Sequence, residues 1–135
     1  MVKNISLTLK PKARGCHLVT EEVLTQLELP QSGLLQLFIQ HTSAALSIQE
    51  NASPEVLSDL SRALDRLVPE DPSLYQHTEE GPDDMPAHVK AALVGSHVSL
   101  PIMNGKVMLG RWQGIYLLEF RNTAGGRTLI ASILK

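Results

Sequence analysis

Hydrophobic positions along the chain alternate between the period of a strand and the period of a helix. Ile5, Leu7 and Leu9 alternate with polar residues, which predicts a half-buried strand. Leu18, Val19, Val23, Leu24 and Leu27 recur at helical spacing; Thr20 followed by Glu21 and Glu22 suits a helix start, and Pro30 ends the segment. The dense apolar run from Gly33 to Gln40 predicts a central strand, and Ala44 to Ile48 the next one. Ser53-Pro54 then opens a helix: Ser is a good N-cap, and Pro at the first helical position gives up no bond the helix would have made. Val56, Leu57, Leu60, Leu64 and Leu67 form its apolar stripe. A loop runs from Pro69 to Met85, and Pro86 starts a short helix that Gly95 stops. Three strands follow, Val98–Ile102, Lys106–Leu109 and Gly114–Phe120, with Asn104-Gly105 as a hairpin turn between the first two. Gly125-Gly126 leads into a last alternating strand, Arg127–Leu134. Helices interleave early and hairpins dominate late. The pattern predicts one α+β domain over residues 1–135, a mostly antiparallel sheet packed with about three helices in two layers.

Composition narrows the function classes. A chain of 135 residues that is 43% hydrophobic can bury a real core. Twelve Lys and Arg against 14 Asp and Glu leave a net charge of −2, with no basic stripe, so no nucleic-acid partner is expected. The lone Cys16 rules out an intramolecular disulfide and points to a reducing cytoplasm. No segment approaches the roughly 18 uninterrupted apolar residues of a membrane-spanning helix, so no membrane partner is expected either. Aromatic residues make up only 4% of the chain, so Trp112, the single Trp, draws notice.

Polar chemistry is concentrated in the stretch from Tyr75 to Leu93, YQHTEEGPDDMPAHVKAAL. His77, Asp84 and His88 fall here, with Asp84 and His88 at the start of the helix opened by Pro86. Imidazole and carboxylate together are tools for proton transfer and for holding a metal ion, and the positive end of a helix favours a neutral imidazole. The plainer alternative is a helix cap at Asp84 with two loop or surface histidines. His41-Thr42-Ser43, at the end of the apolar strand, offers a base or ligand beside two hydroxyls; a polar turn is the alternative. Glu50-Asn51 precedes the next helix. Glu119 lies on an apolar strand face, where a carboxylate is costly unless paired, with Arg121, Arg127 or a histidine as partners. Trp112-Gln113 sets an aromatic plane and an amide between Gly110 and Gly114, suited to a pocket wall or to the core. The expected catalytic set is therefore His41, Glu50, Asp84 and His88; the expected substrate contacts are Thr42, Ser43, Asn51, Trp112, Gln113 and Glu119. His41, His77 and His88 are the candidate ligands for a divalent ion, Zn or Mg.

The segments HTSAALSIQENASPEV, YQHTEEGPDDMPAHVKAALVG and PIMNGKVMLGRWQGIYLLEF resemble, in this order and over essentially the whole chain, the YjbQ family. The resemblance implies a compact α+β subunit, a homotrimer and a weak thiamine-phosphate synthase activity that joins a pyrimidine diphosphate to a thiazole phosphate. Two positions depart from the family pattern: Arg111 stands where Thr is usual, and His97 where Ser is usual. Three functions stay open: an enzyme with that synthase side activity, a metal-dependent hydrolase or other metalloenzyme, and a non-catalytic binder. Each takes a small phosphorylated or anionic metabolite.

Overall fold

A computed structural model describes all residues, Met1–Lys135. The elements are β1 (Val2–Leu9), β2 (Gly15–Leu18), α1 (Thr20–Leu24), β3 (Ser32–Ile39), β4 (Ala44–Glu50), α2 (Pro54–Leu67), α3 (Asp84–Val94), β5 (His97–Met103), β6 (Lys106–Val107), β7 (Gln113–Glu119) and β8 (Arg127–Leu134), with a short 3-10 turn at Pro72–Leu74. The chain is an α+β domain, as its pattern predicts. Every strand pairing is antiparallel: one sheet runs β1-β8-β3-β5-β6 and the other β2-β7-β4.

The two sheets bury their alternating apolar faces against each other. Leu7 and Leu9 of β1, Leu35, Leu37 and Ile39 of β3, and Leu129, Ala131 and Ile133 of β8 meet Leu46 of β4 and Ile115 and Leu117 of β7. The intervening residues of β7, Tyr116 and Leu118, point the other way and pack with Leu64 of α2 and Ala87 of α3. From Gly114 onward β7 is therefore buried on both faces, which explains its nearly unbroken apolar run.

The local differences from the sequence pattern have physical causes. Residues 15–18 pair with β7 as β2, so Leu18 leaves the expected helical pattern, ladder bonds outweighing a weak helical period; the helix starts at Thr20 as expected but ends at Leu24, well before Pro30. α3 begins at Asp84, two residues before Pro86, because Pro is tolerated anywhere in a first turn, whose N–H groups have no helical partner. Asn104 and Gly105 both adopt positive φ, 52° and 74°, the turn that Asn-Gly favours. The stripe of α2 is only partly used: Leu64 alone is buried and Leu67 is 72% exposed.

Gly33 is fixed by a close approach. Its φ is 157°, and a Cβ there would lie 2.1 Å from the Leu134 carbonyl oxygen of β8. Gly33→Ala is expected to destabilise the domain by about 1–3 kcal/mol, read as a lower urea midpoint at unchanged slope.

Candidate functional site

The functional candidates fall at two opposite ends of the β4–β7 ladder. Ala44 pairs with Glu119 at one end and Glu50 with Gln113 at the other. Six residue-to-residue steps of strand separate them, about 20 Å at the usual rise.

The histidine end is built on α3. Asp84, the first residue of the helix, is 2% exposed. Its Oδ2 lies 2.6 Å from His77 Nε2 and 3.1 Å from His88 Nε2, while its Oδ1 accepts a bond from Arg121 Nη1 at 2.5 Å. His88, one helical turn on, is brought over Asp84 by the i, i+4 spacing. Its Nδ1 stands 2.8 Å from the Thr42 carbonyl oxygen. A carbonyl only accepts, so Nδ1 carries the proton and the neutral ring keeps its lone pair on Nε2. His77, in the preceding loop, also contacts Glu80 at 3.1 Å. The ligand atoms of His77, Asp84 and His88 lie within 4.8 Å of one another.

Arg121, just past β7, ties the carboxylates down. Its Nε donates to Asp83 Oδ2 at 2.9 Å and its Nη2 to the Glu80 carbonyl at 3.0 Å, and the Asn122 N–H adds a second bond to Asp83. Burial alone would push both carboxyls up. For Asp84 the hydrogen bond to His77 and the charge of Arg121 outweigh burial and hold it below the usual carboxylate range; for Asp83 the Asn122 N–H and Arg121 do the same. The bond to Asp84 holds His77 above its ordinary value, against a smaller opposing effect of desolvation.

His41 belongs to this end but not to the three-residue cluster. Its Nε2 accepts the Thr128 N–H at 2.9 Å, so that lone pair is spent and the neutral ring carries its proton on Nδ1. Burial, then the nearby Arg127 charge, lower its pKa and keep it neutral. His41, Thr42 and His88 wall a cleft of about 290 Å³ floored by Ala91, Ala92 and Gly95. Glu119 is 1% exposed, and both its oxygens are taken by Arg127, at 2.7 and 2.5 Å. Arg127 also reaches the Ser43 carbonyl at 3.4 Å. Thr42 and Ser43 thus enter this network through their backbones.

Glu50, Asn51, Trp112 and Gln113 lie at the other end and meet none of these groups. Glu50 Oε2 accepts the Ser53 N–H, Asn51 donates to the Gln113 carbonyl, and Gln113 Oε1 accepts the Gly110 N–H. These bonds shape turns. Trp112 is 56% exposed, with the Arg111 guanidinium 4.9 Å from its ring. Sequence reasoning passed over Asp83 and the role of Arg121 toward Asp84. The only signal for either was the doubled Asp83-Asp84, half of which an N-cap would explain.

A family model described as "UPF0047 protein YjbQ-like" matches residues 4–135. The UPF0047 protein YjbQ of Escherichia coli O157:H7 is 46% identical over 131 residues, 95% of this chain and 94% of that protein. The UPF0047 protein sll1880 of Synechocystis sp. is 48% identical over 103 residues, 76% of this chain and 70% of its own. The crystal structure of the conserved hypothetical protein TT1486 from Thermus thermophilus superposes with a TM-score of 0.86 at 33% identity, covering 96% of this chain and 99% of that one. No helix of the present chain is long and apolar enough to cross a membrane.

Because the native Asp83 and Asp84 pKa values are depressed, their stabilising contribution is present above the unfolded value near about 4 and is lost as pH falls through the lower native values. The melting temperature is expected to hold from about pH 5 upward and to fall steeply below about pH 4, and Arg121→Met should flatten that fall. An unchanged acid profile in the variant would count against the role given to Arg121.

Proposed function

This chain belongs to the YjbQ-like UPF0047 family, and on that premise we propose that His77, Asp84 and His88 form a divalent-metal centre for hydrolysis of a small phosphorylated or anionic metabolite. The observation that carries the reading is the approach of His88 Nε2 to Asp84 Oδ2 at 3.1 Å while Nδ1 of the same ring is held by the Thr42 carbonyl; in the neutral tautomer that this bond selects, Nε2 presents a lone pair. A lone pair aimed at a carboxylate oxygen is repulsive unless a proton or a cation lies between them, and His77 Nε2 closes on the same oxygen. Two imidazole nitrogens and one carboxylate suit zinc; magnesium prefers oxygens throughout. Bound there, the ion would supply Lewis acidity toward a substrate oxygen.

The chain's own groups fit around that role. The Thr42 carbonyl fixes the tautomer of His88, as carbonyls commonly do for metal-ligating histidines. Arg121 takes the other oxygen of Asp84 and leaves Oδ2 facing the two rings. His41, with its proton on Nδ1, has a donor left for an anionic substrate in the adjoining cleft. The ligand set differs from the three histidines expected from sequence: Asp84 replaces His41, whose Nε2 is already bonded.

A weak thiamine-phosphate synthase activity is the second reading, favoured by the cleft beside His88. Release of diphosphate needs its charge neutralised. Arg121 and Arg127 are both committed to carboxylates, so this reaction too would depend on the metal. The homotrimer implied by the family fits the open face of the five-stranded sheet, where Leu34, Phe38 and Leu134 stand exposed.

Elemental analysis tests the proposal. The purified, zinc-loaded protein is expected to hold about one ion per subunit, and His88→Ala and Asp84→Asn to fall below roughly a tenth of that while keeping a native circular dichroism spectrum. An empty loaded wild type, or full occupancy in both variants, would overturn it. Metal bound with no turnover on phosphorylated metabolites would leave a binding module in place of an enzyme.

A further inference from the structure

We propose that the cleft between β2, α2 and α3 is a second ligand site, independent of the histidine cluster, that takes a small phosphate-bearing metabolite. Its volume is about 410 Å³, within the usual range for small-molecule pockets and larger than the cleft beside His88. On the side of α2 that turns to the cleft, Ser58, Ser61, Arg62 and Asp65 follow one another at i, i+3, i+4 and i+7. That spacing is the one helices use for an apolar packing face; here it carries hydroxyls and charges.

The wall opposite is built around a buried lysine. Lys90 of α3 is 2% exposed, with its ammonium 2.6 Å from Asp65 Oδ1 and 5.7 Å from the centre of the Phe120 ring. An ammonium has three protons to donate, and Asp65 takes one. The same Asp65 oxygen also accepts from Arg14 Nη2 at 2.9 Å, so one carboxylate serves two cations. Arg14 reaches Glu70 as well. Arg62 carries no ion pair. Glu119 borders the cleft, but its charge is matched by Arg127 behind it.

Charge therefore does not close within the cleft: Arg14, Arg62 and Lys90 face only Asp65 and Glu70. An apolar residue would serve a mere packing role better than Lys90, since a buried ammonium carries a large desolvation cost before it is paired. Three cations and two hydroxyls converging from three elements suit the spread oxygens of a phosphate better than the flat fork of a carboxylate. Leu64 and Phe120 offer apolar surface for the rest of the ligand. Cys16, the only thiol, also lines the cleft, with its Sγ 3.3 Å from Ser61 Oγ, and makes an internal reporter of occupancy.

Calorimetric titration with pyrophosphate tests the site, with malonate at matched ionic strength as the carboxylate arm. Binding of pyrophosphate is expected. Arg62→Gln should weaken it roughly tenfold or more, as loss of a charged hydrogen bond implies, and Lys106→Gln, which removes an exposed charge of β6 away from the cleft, should leave it unchanged. Bound pyrophosphate should also slow modification of Cys16 by a thiol reagent severalfold. No binding, equal binding in Arg62→Gln, or an equal loss of binding in Lys106→Gln would each overturn the proposal. Malonate binding as tightly as pyrophosphate would overturn its phosphate class. Arg62 is exposed on α2, so its replacement leaves the fold intact.

Discussion

The histidine end of the molecule depends on keeping the Asp84 carboxylate charged while it is almost wholly removed from water. A buried carboxylate is tolerable only if each of its oxygens finds a donor. Oδ1 finds Arg121; Oδ2 is left to His77 and His88. That division imposes the rest. Arg121 must sit just beyond β7, so the strand end is fixed relative to α3. His88 must lie one turn along the helix, and its far nitrogen is then held by the loop after β3. One desolvated charge thus registers a helix, a strand end and two loops against each other.

A second buried pair repeats the logic beneath it. Glu119 and Arg127 satisfy each other, and Arg127 extends to the Ser43 carbonyl. His41 meanwhile gives its Nε2 to the backbone of β8. The loop after β3 is therefore held from both sides, and the groups it offers outward are a tautomer-fixing carbonyl and one imidazole N–H. Such a site is pre-organised before any ligand arrives, which favours binding by lowering the ordering cost.

The parts of this arrangement legible in the sequence are those set by short-range rules. Alternation marked β1 and β8, and a dense apolar run marked β3; Ser53-Pro54 marked α2; Asn104-Gly105 marked a hairpin turn. Glu119 on an apolar face announced a paired carboxylate, and Arg127 was among its named partners. The density of His and carboxylate near Pro86 located the cluster of His77, Asp84 and His88. What stayed hidden depends on long-range pairing. Nothing local distinguishes His41, bonded to Thr128 across 87 residues, from a free histidine. Glu50 was grouped with His41 because sequence distance does not reveal that β4 carries it to the far end of a ladder. Nothing local marks Lys90, whose burial arises only where α3 meets Phe120 and α2.

The position of β8 has a consequence for how the molecule is made. This last strand sits between β1 and β3, so the first strand has no partner in its sheet until more than a hundred further residues exist. During synthesis β1 and β3 each wait with an open edge facing the same vacancy, while β4, β7 and the two longer helices can already assemble. Such non-local pairing slows folding and prolongs the life of exposed strand edges. Thr128, which holds His41, and Arg127, which holds Glu119, arrive with that same strand. The histidine loop therefore sets only when the sheet closes: the nascent chain carries nearly every polar group of the site well before it has the means to aim them.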